Sequence, residues 1–213
     1  MSPISGASSV TFDPNTSKYL INYDGKPIVT TVTDKAAIVE QWVHEILTLY
    51  AGKRSVVGLD IEWRPHYISY MSNKSATLQL CIDRNCLILQ LFHIDYLPEA
   101  LKTFLADPNF TYVGIEVGGD IEKLRTEYGL KCSSSADIRE LAICRWPGRF
   151  RRPGLKDLAI EVANLCMKKP KHVCMSNWEA RVLNENQVEY ACIDAYASYK
   201  IGHKLLVETG IMA

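Results

Sequence analysis

Apolar and polar positions along this chain divide most of it into elements before any residue is given a role. In "KPIVTTVT" (26–33) β-branched residues predominate, the composition of a strand. In "DKAAIVEQWVHEILTLY" the residues Ile38, Val39, Trp42, Val43, Ile46 and Leu47 recur at three and four, the stripe of a half-buried helix. "VVGLDIEWRP" (56–65) follows, and Val56, Val57, Leu59, Ile61 and Trp63 read as a buried strand. Two further strands, "ATLQLCI" and "CLILQLF", flank the short polar "DRN" and predict a hairpin. "LPEALKTFLADP" then predicts a helix, "TYVGIEV" a strand and "GDIEKLRTEYG" a helix, and from about residue 137 the pattern is mostly helical. Three consecutive strands followed by alternating helix and strand imply an α/β domain, a mixed sheet flanked by helices. In the last helix, "ENQVEYACIDAYASYKIGHKLL", Asn184 is followed three residues on by Gln187, the spacing of a capping box. The chain begins with small polar residues, so a flexible tail is expected over 1–20 and one domain over 21–213.

Composition narrows this picture. With 213 residues, 47% of them hydrophobic, the chain has enough material for one good-sized core and little for two. Lys plus Arg equal Asp plus Glu at 24 each, so overall charge gives no reason to expect a wholesale polyanion or membrane binder, and any charge signal must be local. The seven cysteines are odd in number and show neither a C-x-x-C pair nor zinc-type histidine spacing; they read as reduced cysteines of an intracellular protein. No basic segment followed by an apolar stretch opens the chain, and no run of 18 apolar residues occurs. The expectation is a soluble cytoplasmic or nuclear protein with no membrane partner.

Candidate chemistry starts on the strand at 56–63. Side chains two apart on a strand point the same way, so Asp60 and Glu62 emerge side by side from an otherwise apolar element. Two ionised carboxylates placed together away from water cost several kcal/mol unless a cation meets them. Asp120 at a helix start and Asp194 on the last helix join them at the edge where an α/β sheet presents its site, and Tyr190, four residues before Asp194, shares its helix face. Each acid has a plainer reading: Asp120 as an N-cap after "GG", Asp194 on a solvated helix face, Asp60 and Glu62 at a strand end reaching water. Taken together they match the need of a two-metal site, where several carboxylates converge on ions about 3.5–4 Å apart.

Charge clusters in one segment. Between residues 145 and 171 stand Arg145, Arg149, Arg151, Arg152, Lys156, Lys168, Lys169 and Lys171, against only Asp157 and Glu161. Such a local field suits a nucleic acid, and Phe150 among the arginines offers a face on which a base can stack. The alternative is a solvated face with a flexible loop. Trp63, beside Glu62, reads first as core, with a nucleic-acid contact as its alternative role.

The segments "LDIEW" (Asp60, Glu62), "VGIEVGGD" (Asp120) and "YACID" (Tyr190, Asp194) resemble, in order, the three motifs of the DEDD, or DnaQ-like, 3′–5′ exonucleases in their tyrosine subgroup. "GLDIEWRP", "TLQLCI", "GLKDLA" and "SNW…L…Q…YACIDAYA" are similar to the Werner-type exonuclease domain, over about residues 55–207. The small size without a helicase domain is similar to the plant RISC-interacting clearing exoribonucleases. This resemblance implies an RNase H-like mixed sheet with a three-stranded antiparallel meander. It also implies metal-dependent 3′–5′ hydrolysis of single-stranded nucleic acid, RNA favoured, releasing nucleoside 5′-monophosphates with two Mg²⁺ or Mn²⁺ ions. Asp60 is then the residue bridging both ions, Glu62 and Asp194 complete the catalytic metal position, Asp120 supports the second through water, and Tyr190 orients the attacking water. The histidine subgroup carries its His five residues before the last Asp, and that position here is Glu189. Glu116 is an additional acid in the second motif and has no assigned role. The resemblance further implies a homo-oligomer, a hexameric ring, and RNA-silencing proteins as partners. Alternative readings are a DNA-directed Werner-like exonuclease, an RNase H-type endonuclease and a catalytically silent nucleic-acid-binding scaffold.

Overall fold

The computed structural model describes residues 8–66 and 73–210. Along the chain lie β1 (Ser9–Asp13), β2 (Lys18–Tyr23), β3 (Lys26–Thr33), α1 (Ala36–Leu49), β4 (Ser55–Glu62), β5 (Thr77–Ile82), β6 (Asn85–Leu89), α2 (Glu99–Ala106) and β7 (Phe110–Gly114). They are followed by α3 (Val117–Tyr128), β8 (Ser135–Asp137), α4 (Ile138–Arg145), α5 (Leu155–Ala163), α6 (Lys171–Cys174) and α7 (Glu185–Leu206). The described strands form one sheet in the order β1-β2-β3-β6-β5-β4-β7-β8. It joins two antiparallel meanders, β1–β2–β3 and β4–β5–β6, along the parallel pair β3 and β6. β7 and β8 continue it in parallel from β4.

The expectation of a loose tail through residue 20 is corrected by β1 and the start of β2; its first seven residues lie outside the described ones. Asp24 and Gly25 both take positive φ, 55° and 72°, the conformation a two-residue hairpin turn needs, and they fold β2 back onto β3. β2 in turn pairs β1 with Val10 opposite Ile21 and Phe12 opposite Tyr19, and Ile21 is fully buried. The three-residue β8, just ahead of the stretch read as helical, was also not expected.

β5 is buried at every residue, and α7 lies across β4 and β5. That approach is unusually close because glycine stands where the backbones meet. A Cβ on Gly58 would fall 2.7 Å from the backbone nitrogen of Tyr199, and one on Gly202 would fall 2.5 Å from Cγ2 of Val113. Ala191, Ala195, Ala197 and Ser198 keep α7 narrow between these points, and all are buried. The Asn184–Gln187 capping box is formed in both directions and fixes where α7 begins. Among the described residues no helix is long and apolar enough to cross a membrane.

Candidate active site

The close seating of α7 on β4 sets the site. Gly58 lies two residues before Asp60, and Ala195 follows Asp194, so the contact that needs a missing Cβ also brings the two acids together. One carboxylate oxygen each from Asp60, Glu62 and Asp194 lies within 4.8 Å of the others. A hard divalent cation takes oxygen ligands at about 2.0–2.6 Å, so the three carboxylates are spaced to share one. They line a cavity of about 530 Å³ together with Trp63, Ile115, Glu116, Asp120, Lys169 and Tyr190.

The electrostatics of the three acids are unfavourable without a cation. Burial, then the charges of Asp194 and Asp120, push the Asp60 carboxyl well above its ordinary range. Burial and the neighbouring Asp60 raise Glu62 to about 10. Burial also raises Asp194, although an ion pair with Lys169 and a hydrogen bond from Tyr190 oppose it. Lys169 Nζ stands 2.6 Å from Asp194 Oδ2. Burial acts to depress that ammonium, yet attraction to Asp194, Asp60 and Glu62 raises it overall. A set of oxygen donors that holds protons for want of positive charge fits a divalent ion, whose binding would release them.

Asp120 enters the cavity from α3 and is not one of the three that share a 4.8 Å sphere. Burial first, then the charge of Glu116, raises it to about 7. The N-cap reading of Asp120 is overturned: α3 begins at Val117, and Glu116 in left-handed conformation (φ 54°) occupies the cap. β7 ends at Gly114, where a Cβ would fall 2.7 Å from the carbonyl of Leu59, and the helix starts before the two glycines rather than after them. Glu116, unassigned from the sequence, accepts from Arg139 and Arg152, and these hydrogen bonds hold it below the ordinary carboxylate range. Its own N–H donates to Asp137 Oδ2. Tyr190 is 6% exposed and packs against Trp178 at 5.9 Å between ring centroids. Burial, Asp194 and a hydrogen bond with Cys174 raise its phenol.

Lys169 is the site residue that sequence reading missed, having counted it only as charge. The stretch after α5 is irregular, with Leu165 and Met167 buried, Lys168 exposed, and Lys169 itself open to solvent while its Nζ reaches Asp194. That period of two carries Lys169 inward, a signal available in "NLCMKKP".

Two members of the basic segment reach acids of the cavity, Lys169 at Asp194 and Arg152 at Glu116. Arg149, Phe150, Arg151, Arg152, Pro153, Asp157 and Glu161 line an open hollow of about 380 Å³. Arg149 pairs with Glu161 and Arg152 with Glu116, whereas Arg151 and Lys156 are exposed and form no ion pair among the described residues. Phe150 is half-buried with its ring edge-on to Trp146 at 6.0 Å. Trp63 is half-buried on the wall of the acid cavity, with Lys123 Nζ 5.0 Å from its ring centroid.

An eight-stranded mixed sheet flanked by helices, with carboxylates gathered where its central strand meets the last helix, defines an RNase H-like α/β domain with an acidic centre. The same fold is found in Escherichia coli RNase D, described as an exoribonuclease involved in structured RNA processing, with a TM-score of 0.69 and 22% identity over 85% of this chain and 45% of that one. The 3′–5′ exonuclease family model matches residues 30–209, and the chain belongs to that family. An Arabidopsis thaliana 3′–5′ exonuclease is 35% identical over 147 residues, 68% of this chain and 50% of that protein. Exonuclease 3′–5′ domain-containing protein 2 of Drosophila melanogaster is 31% identical over 84% of this chain and 29% of its own length. The mouse bifunctional 3′–5′ exonuclease/ATP-dependent helicase WRN is 28% identical over 77% of this chain and 12% of its own length. The chain thus spans half or less of the length of these relatives.

Proposed function

We propose that this chain removes nucleotides from the 3′ end of single-stranded nucleic acid, RNA favoured, by metal-assisted hydrolysis that releases nucleoside 5′-monophosphates. The observation that carries the reading is the carboxylate trio of Asp60, Glu62 and Asp194 within a 4.8 Å sphere, in a chain of the 3′–5′ exonuclease family. Two Mg²⁺ or Mn²⁺ ions would be held by these residues, Asp60 serving both, Glu62 and Asp194 completing one position and Asp120 supporting the other. Such ions, when bound, lower the pKa of the attacking water and neutralise charge on the scissile phosphate and the departing 3′-oxygen. The Tyr190 hydroxyl orients that water. Without the ions, burial and the charge of Asp194 favour its neutral phenol, the form that donates a hydrogen bond.

Trp63 on the cavity wall and Arg149, Phe150, Arg151, Arg152 and Lys156 beyond it hold the strand. Arg151 and Lys156 give most of the phosphate contact, because Arg149 and Arg152 already face carboxylates. The preference for RNA goes with the resemblance to the plant clearing exoribonucleases and not with any motif, since discrimination would come from contacts to the 2′-hydroxyl. That likeness extends the proposal to a hexameric ring acting beside RNA-silencing proteins in the cytoplasm or nucleus, which light scattering on the purified chain tests. The activity is tested with matched RNA and DNA oligomers, free or blocked at the 3′ end, in Mg²⁺ and in EDTA. Shortening of free-ended RNA in Mg²⁺ alone is the expected result. Cleavage of blocked strands points instead to an endonuclease, and full hydrolysis in EDTA contradicts the metal mechanism.

A further inference from the structure

Lys169 plays no part in the hydrolysis as proposed, yet its ion pair with Asp194 lies on the lining of the acid cavity. Lys169 Nζ lies 2.6 Å from Asp194 Oδ2 and 5.5 Å from the Tyr190 ring centroid. Among the described residues it is the cation whose field lowers the pKa values of Asp60, Glu62 and Asp194 alike. The backbone that carries it is held at both ends, by Leu165 and Met167 before it and Val173 after it, all buried. Lys168, its neighbour, points into a different cavity with Tyr23 and His172.

An ammonium in contact with a carboxylate oxygen blocks that oxygen for a metal ion. It also repels a dication brought to the adjacent oxygens of Asp60 and Glu62. The two cations therefore compete for the charge of Asp194. The Lys169 side chain is 33% exposed against 3% for Asp194, so its flexible stem has open space to swing into while the carboxylate stays in place.

We propose that Lys169 is a resident counter-cation of the carboxylate trio, stabilising the protein without metal and leaving Asp194 when a divalent ion loads, so that it sets the affinity for that ion. The proposal rests on the metal-site reading above. Lys169 acts through the acids and is a positioning residue. Loss of its charge removes a competitor for the ion and at the same time leaves the acids repelling one another in the metal-free state.

The test is Mn²⁺ titration calorimetry on the full chain, paired with thermal melts in EDTA, for wild type, Lys169→Met, Lys169→Gln, Lys169→Arg and Lys168→Met. Both charge-removing variants are expected to bind Mn²⁺ about tenfold more tightly, a typical size for coupling between two ligands of one site. Both are also expected to melt lower in EDTA. Lys169→Arg keeps the charge and should restore the wild-type melt. Lys168→Met should match wild type in both measurements. Mn²⁺ affinity that is unchanged or weaker in Lys169→Met and Lys169→Gln, in a wild type that does bind Mn²⁺, overturns this proposal alone. A wild type that binds no Mn²⁺ overturns the metal-site reading and this proposal with it.

Discussion

On the floor of the cleft Asp60, Glu62 and Asp194 meet Lys169 as their common cation, whereas outside it Arg149 faces Glu161 while Arg139 and Arg152 face Glu116. Of these outer pairs Arg149 with Glu161 is one to one and exposed, while Glu116 is shared by the exposed Arg152 and the half-buried Arg139; exposed ion pairs contribute only about 0–1 kcal/mol each. The floor carboxylates, buried at Asp194 and half-buried at Asp60 and Glu62, outnumber their counter-ion, and like charges in that setting cost several kcal/mol unless protons or metal intervene. The fold tolerates a destabilised floor because β4, β5 and α7 around it are packed without slack, as the fully buried Leu59, Leu80, Ala191 and Ala195 show. Charge density and burial at the same place separate a site from a solvated surface, and neither does so alone.

Removing a floor acid should give the largest effect and should move function and stability in opposite directions. Asp60→Ala is expected to lose cleavage to background and, in EDTA, to melt higher than wild type because one repelling carboxylate is gone. A variant that keeps substantial activity, or melts lower in EDTA, breaks the contrast between floor and rim. Next comes Tyr190→Phe, which keeps the ring packed on Trp178 and deletes only the hydroxyl. Single-turnover cleavage should fall by roughly 10²–10⁴-fold, the range for a positioned acid–base or water-orienting group, with Mn²⁺ binding retained. Near-normal cleavage removes Tyr190 from the mechanism.

The floor also predicts a pH dependence. Glu62 at about 10 and Asp120 at about 7 in the folded protein both lie above their ordinary values of 4.5 and 3.8. The folded state thus keeps protons that the unfolded chain sheds. Stability is then greatest below the unfolded pKa values and declines as pH rises, through about 7 for Asp120 and on toward about 10 for Glu62. Melts in EDTA from about pH 5 to about pH 8 should show that decline, and Glu62→Gln should flatten it. A melting temperature that rises over this interval contradicts the sign.

The smallest effects belong to the rim. Arg151→Ala should weaken binding of single-stranded substrate and reduce its salt slope by about 0.7, the value for one phosphate contact on a single strand, with little change in melting. Arg152→Ala should change it less, since Glu116 already engages that guanidinium. An unaltered slope in both returns the segment to a solvated surface.

The central frame was legible where burial and periodicity agree. β4 and β5 show it as largely apolar strands, α1 through a three-and-four stripe and α7 through a capping box. β1 and β2 were hidden because an edge hairpin is half solvated and its alternation is weak, although "DG" at residues 24–25 marked the turn. β8 spans only three residues, too few for any period to show. In the site, the acids were readable because a carboxylate inside an apolar strand is anomalous on its own. Lys169 was passed over, because the period of two that turns it inward rests on only Leu165 and Met167 before a pair of lysines.

The claim that the acidic floor is a divalent-metal centre is tested most directly by Mn²⁺ titration calorimetry on wild type beside Asp60→Ala. Saturable binding to wild type that is lost in Asp60→Ala is the result expected from a trio sharing a 4.8 Å sphere. Equal binding by the two proteins, or none by wild type, would contradict it.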